Sequence, residues 1–348
     1  MTAPAASADA PRARAQLGAG AQGAIQLAIV IVALVGAFLW MGPAQFVNAL
    51  TLGAIYALIA IGYTMVYGII ELINFAHGDV FMVGTFVSLS ILTSLGYTAA
   101  VRDPLQLIFV LALVFLLSMV ILGLAGVVIE RAAYRPLRTA PRLAPLITAI
   151  GVSFILQNLV QGMPPYFGYG PFNTNAPQVF PTDALVKIGT ATVPVLSLFI
   201  VVVALGLMIA LQLFVGRTRV GRAMRSTAAD RDAAALMGVN INRTIAITFF
   251  IGSALAGAAG VTYALQYGNT RFDLGFLAGL KAFTAAVLGG IGNSIGAALG
   301  GFIIGFIEVG AAVAGFNSWG PAIVFGTLVI VLVFRPAGLL GQQVGERA

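Results

Sequence analysis

Residues 105–129 read LQLIFVLALVFLLSMVILGLAGVVI, a stretch without a charged residue and apolar on every face. A helix needs roughly 20 mostly apolar residues to cross the hydrocarbon core of a bilayer, and runs of that kind recur along the chain with short polar breaks. A transmembrane β-barrel would need segments of about 10 residues with strict apolar and polar alternation, which these runs lack. Charged residues make up 8% of the chain, where soluble domains carry about 25%. The expected fold is therefore all-α, a polytopic transmembrane helix bundle of about 8–10 spans in a lipid bilayer, and a water-soluble globule is excluded.

What the sequence lacks narrows the chemistry. There is no cysteine, so neither disulfides nor thiolate catalysis is available. The single histidine, His77, excludes HExxH and any paired-histidine metal site. Neither lysine, Lys187 or Lys281, is followed by Ser or Thr, so the chain has no phosphate-binding GxxxxGK[ST] loop of its own. No cofactor, no metal and no enzymatic activity are expected. The net charge of +7 comes from arginines flanking apolar runs, which reads as a membrane-orientation signal rather than a nucleic-acid surface.

The first 23 residues, rich in Ala, Gly and Pro with Arg12 and Arg14, read as a disordered cytoplasmic tail, and 342–348 as a C-terminal tail. One membrane domain is expected over 24–341. Its spans fall at about 24–41, 46–70, 76–95, 105–129, 144–161, 194–215, 244–266, 294–314 and 320–334. A shorter segment at 275–290, broken by Lys281 and glycines, either crosses or is re-entrant, and that choice sets the side of the C-terminus. The first run ends in Phe38, Leu39, Trp40 and Met41, without the small residues of a cleavage site, so it reads as an uncleaved helix. Twelve of the eighteen basic residues fall on one side: Arg12 and Arg14; Arg131, Arg135, Arg138 and Arg142; Arg217, Arg219, Arg222, Arg225, Arg231 and Arg243. That side is expected to be cytoplasmic.

The most informative break is 216–243. Thr227 followed by Ala228, Ala229 and Asp230 has the character of a helix start, and Gly238 and Asn240 of a stop. A short alanine-rich helix over 228–238, outside the bilayer, follows from this pattern. It either joins two spans or presses into a groove on another protein, with Arg222, Arg225, Asp230, Asp232, Ala233, Ala234, Leu236 and Gly238 as the candidate coupling residues.

Three separated motifs carry a family resemblance: GRAMRSTAADRDAAALMGVNINR (221–243), NALTLGAIYALIAIGYTMVYGIIELINFAHGDVFMVGTF (48–86) and GLKAFTAAVLGGIGNSIGAALGGFIIGFIE (279–308). Together they resemble the branched-chain amino acid permeases of bacterial ABC importers, specifically the first of the two paired permeases, over about 45–341. The resemblance implies the bacterial inner membrane and a set of partners: a second homologous permease, two cytoplasmic ATPase subunits and a periplasmic solute-binding protein. It implies docking of the ATPase on the 221–243 segment. The implied cargo is leucine, isoleucine or valine, with urea, short amides or aromatic acids carried by close relatives. A different class, an ion-coupled secondary transporter, would use Glu308 with Glu71, His77 and Asp79 as a relay.

Asn74, His77 and Asp79 cluster at the head of the third span. They read either as ordinary caps and an interfacial histidine, or as a helix N-terminus offering N–H groups to a substrate carboxylate. Glu308 lies deep in an apolar run and must face a partner, a cavity or an interface. These four are the candidate path residues. Glu71, nearer a span end, is expected to reach water or the arginines. Gly292, Gly296 and Gly300, spaced by four, suit close helix packing within the chain or against a second permease, and Ala297, Gly301 and Gly305 form a second such row. The break over 163–193 contains Pro164, Pro165, Tyr166, Phe167, Tyr169, Phe172 and Phe180, which read as interfacial anchors or as a surface for an external solute-binding protein.

Overall fold

A computed structural model describes residues 19–341 apart from 73, 139, 142, 163–173, 182–184 and 189–190. Both tail segments, Arg142 and most of the aromatic residues of the 163–193 break, Tyr166, Phe167, Tyr169 and Phe172 among them, lie outside the described residues.

The first helical element, α1 (Ala19–Ile70), is broken at Gly42, where the backbone takes φ 76° and ψ 165°. Only glycine adopts such a φ cheaply, and Pro43, which follows, lacks the N–H that would continue the ladder. The chain divides there into two compact units. The unit ending at Gly42 is helical from Ala19 and exposes Ile31, Val32, Leu39 and Trp40. These are the side chains a lipid-facing helix presents.

In the second unit the 43–70 part of α1 is buried, with Ala54, Leu58, Ile59, Ala60 and Ile61 at the centre of the main core. The remaining helices are α2 (His77–Ser94), α3 (Pro104–Ile129), α4 (Leu143–Gln161), α5 (Val195–Arg217), α6 (Arg219–Ala229), α7 (Arg231–Leu236), α8 (Ile241–Tyr267), α9 (Leu274–Gly289), α10 (Ser294–Val313) and α11 (Gly320–Phe334). Side chains set several of the starts. Asp103 accepts from Leu105 N before α3, Asn240 from Arg243 N before α8, and Asn293 from Ile295 N and Gly296 N before α10. Polar groups such as Thr64, Ser88 and Thr284 turn inward, while α3, α4, α5 and α11 expose Leu105, Ile147, Val202 and Phe334. That inversion of the soluble pattern is what lipid as a solvent selects.

Among the described residues seven segments are long and apolar enough to span a bilayer: Ile31–Ile70, Pro104–Leu137, Leu143–Gln161, Val195–Arg217, Ile241–Tyr267, Ser294–Val313 and Asn317–Phe334. The two spans expected at 24–41 and 46–70 both lie in α1, on either side of Gly42. At 16 residues α9 rises about 24 Å, short of the ~30 Å hydrocarbon core. Its surroundings settle its course. It follows β4 (Asn269–Thr270), which pairs antiparallel with β1 (Thr174–Asn175) at the far end of α8. It ends where Leu339 N and Leu340 N donate to Leu288 O (2.8 Å) and Gly289 O (3.0 Å). The adjoining turn reaches Gly68, and Ile69 O accepts from Arg231, so 338–341 lies at the arginine-rich end. The C-terminal question left open by the sequence is thereby answered in favour of a crossing. A second antiparallel strand pair, β2 (Leu185–Ile188) with β3 (Ala191–Pro194), precedes α5.

Small residues hold the helices close. Gly300 backs onto the Ala285 carbonyl and Gly296 onto Gly289, while Gly301 and Gly305 pack on Ala57 and Gly53. Gly292 departs from the expected row. It lies before α10 starts, in a turn at φ 90° that packs against Gly68 of α1.

Candidate functional site

Glu308 of α10 finds both a partner and a cavity. Lys281 Nζ on α9 lies 2.6 Å from its Oε1, and the Tyr56 hydroxyl on α1 donates to Oε2 at 2.9 Å. Lys281 Nζ also sits 5.9 Å from the Tyr56 ring centroid. The Lys281 side chain is 8% exposed and that of Glu308 23%, so each charge depends on the other for compensation. The group borders a cavity of about 390 Å³ whose other walls include Ile55, Phe81, Tyr263, Tyr267 and Leu277. A second ion pair borders it, with Arg271 Nη2 and Nε donating to the two Asp273 oxygens at 2.7 and 3.0 Å. Opposite charges beside aromatic and aliphatic walls suit a small solute that carries both signs of charge and an apolar body. The sequence pointed to Glu308 but read Lys281 only as an interruption. The missed signal was that Lys281 is the one basic residue within the apolar 275–314 stretch that also holds Glu308.

Asn74, His77 and Asp79 sit elsewhere, and each is occupied differently. Asn74 Oδ1 accepts from the Tyr134 hydroxyl at 2.8 Å, tying the head of α2 to the π-helical turn Glu130–Tyr134 that follows α3. Asp79 is fully buried and accepts from Ser153 Oγ and from Gln157 Nε2 (3.0 Å), which joins α2 to α4. The His77 ring is buried, stands edge-on to Tyr63 at 4.7 Å and lies against the Ile59 backbone. Gly78, in the first turn of α2, packs directly on the backbone of Gly275 and Gly279 of α9. None of the three lines the Glu308 cavity.

The 216–243 break folds differently from the expected single helix over 228–238. Thr218 caps α6, accepting from Gly221 N at 2.9 Å, and α6 runs on through Thr227 to Ala229. The new start is at Asp230, whose Oδ1 accepts from Asp232 N (2.9 Å) and Ala233 N (3.0 Å), and α7 is only six residues long. Thr227 does not cap because it lies inside α6, where its hydroxyl donates to Ala223 O. Arg225 donates to Val215 O, and Arg231 donates to Ile69 O at 2.7 Å through Nη2, locking the segment to the bundle. Ala234 faces inward at 4% exposure, whereas Leu236 and Met237, at 89% and 84%, project into solvent ahead of Gly238. Arg222, Asp232 and Ala233 are exposed on the same segment. Glu71 is exposed as well, and lines a cavity of about 170 Å³ with Arg138 and Arg231.

Residues 45–332 match the family model described as the permease component of branched-chain amino acid transport systems. The chain belongs to that family. The permease is 44% identical over 307 residues to the high-affinity branched-chain amino acid transport system permease protein BraD of Pseudomonas aeruginosa, covering 87% of this chain and 97% of that protein. It is 42% identical over 306 residues to LivH of Escherichia coli K12, which bears the same description, at 87% and 96% coverage. A more distant relative, the autoinducer 2 import system permease protein LsrD of Photorhabdus temperata, is 29% identical over 213 residues, at 58% and 61% coverage. No solved structure matches. Both the Lys281–Glu308 pair and the 216–243 segment of the permease lie within the matched region.

Proposed function

We propose that this permease moves leucine, isoleucine and valine inward across the bacterial inner membrane, as the membrane subunit of an ATP-driven importer. The arginine-rich end faces the cytoplasm. There the exposed tip at Leu236 and Met237 docks an ATPase subunit, two of which supply the energy. A second homologous permease completes the membrane part, and a periplasmic binding protein delivers the cargo and makes most of the selection. The chain itself catalyses no reaction.

The observation that carries this reading is the cavity of about 390 Å³ between α1, α8, α9 and α10. A zwitterion with an apolar side chain finds there two carboxylates, two cationic groups and an apolar wall. The high identity to BraD and LivH supports the same cargo.

Reconstitution of the full complex in liposomes tests it, with ATP on the cytoplasmic side, the cognate binding protein outside, and labelled leucine, urea or ribose. Leucine uptake that needs both ATP and the ATPase subunits is the expected result. Urea or ribose uptake without leucine uptake would overturn the cargo. Leucine uptake without ATP would favour an ion-coupled carrier built on the Lys281–Glu308 pair.

A further inference from the structure

At the arginine-rich end a second cavity, of about 430 Å³, opens between the end of α3 and the start of α8. Arg131, Arg135 and Arg243 line it, together with Val127, Ile247 and Phe250. All three arginines are exposed, and among the described residues none of them is in an ion pair. The one acid at its edge, Glu130, is 1% exposed and already bound by Arg138, which donates to Asn242 Oδ1 at 2.5 Å as well. The cavity thus presents three uncompensated guanidinium groups over an apolar wall. That wall adjoins exposed Leu124 and Val128, at the level where the lipid-facing surface of α3 gives way to charge.

We infer that this cavity binds the head group of an anionic phospholipid. Guanidinium groups meet phosphate oxygens through paired, charge-assisted hydrogen bonds, and three of them exceed the charge of one phosphodiester, favouring a lipid with net negative charge over a zwitterionic one. The apolar wall receives the first part of an acyl chain. A free phosphate would leave that wall in water, and an acidic protein surface would have no use for it. Basic pockets between transmembrane helices are where anionic head groups are generally held. Binding here braces the α3–α8 junction, next to Asn240, which caps α8 and closes the 216–243 segment.

The test uses the full-length chain in mild detergent, titrated with phosphatidylglycerol or phosphatidylcholine and read by native mass spectrometry. The variants are R131Q/R135Q/R243Q, the single Arg243→Gln, and Arg335→Gln as a charge control away from the cavity. The wild-type chain should hold one phosphatidylglycerol in preference to phosphatidylcholine, and Arg335→Gln should do the same. The triple variant should bind phosphatidylglycerol at least about tenfold more weakly, and Arg243→Gln by a smaller factor in the same direction. The single variant keeps the test decisive if the triple one does not fold. Equal retention of the two lipids would overturn the proposal, as would unchanged binding in the variants or displacement by inorganic phosphate. So would variants that keep the lipid but lose the ATPase subunits, which would assign the patch to a protein partner.

Discussion

Lys281 and Glu308 meet at 2.6 Å across the interface of α9 and α10, two helices in which no other residue is charged. A single charge there would be costly, and two of opposite sign beside a tyrosine hydroxyl make the arrangement tolerable. Because the pair borders a cavity, it is accessible to a solute carrying both charges.

Breaking the pair should show this coupling. Lys281→Met or Glu308→Gln alone strands the other group, and each should lower stability by roughly 2–3 kcal/mol, below the 3–5 kcal/mol of a fully buried pair because Glu308 keeps some exposure. The combined variant should recover most of that loss while transport stays impaired. Thermal unfolding in detergent beside liposome uptake measures both. Additive losses would show that the two groups are not coupled.

The tip of the 216–243 segment gives a contrast between neighbours. Leu236→Asp with Met237→Asp should abolish association with the ATPase and leave the melting temperature unchanged, because both side chains are exposed. Ala234→Asp should instead lower the melting temperature, since it forces a charge against the bundle. Co-purification of the ATPase at normal yield with the double variant would contradict docking at this tip.

Asp79 is expected to act as a cross-tie. Asp79→Ala leaves Ser153 Oγ and Gln157 Nε2 without their acceptor and should cost about 1–3 kcal/mol. Uptake per folded molecule should change little. A loss of uptake without a loss of stability would return Asp79 to the path.

Glu71 holds φ 54°, the left-handed region, where the chain leaves α1 and turns towards α2. Glu71→Gly should stabilise the protein by about 1 kcal/mol and Glu71→Val should destabilise it by at least as much, as thermal unfolding would reveal. The opposite order would mean that the carboxylate, not the backbone, governs this position.

Much of the fold was legible because a bilayer imposes a length and a polarity on every crossing segment. The expected runs coincide with helices, and the two arginine-rich breaks meet at one end, where Arg138 reaches Asn242 and Arg231 reaches Ile69. The candidate site was only half legible. Glu308 stood out because a charge in an apolar run demands an explanation, whereas Asn74, His77 and Asp79 stood out only by being near one another in sequence. Each of those three is directed to a different neighbour, and sequence proximity carries no such direction.

By itself the sequence determined the solvent, the helical class and the grouping of charges at one end, since hydropathy and charge are summed locally along the chain. Tertiary structure alone decided that Lys281 is the partner of Glu308, that Asp230 and not Thr227 starts the short helix, and that Ala234 is shielded while Leu236 and Met237 are not. Such outcomes depend on which helix faces meet. That is set by close packing of glycine and alanine backbones over the whole bundle, and no local pattern encodes it.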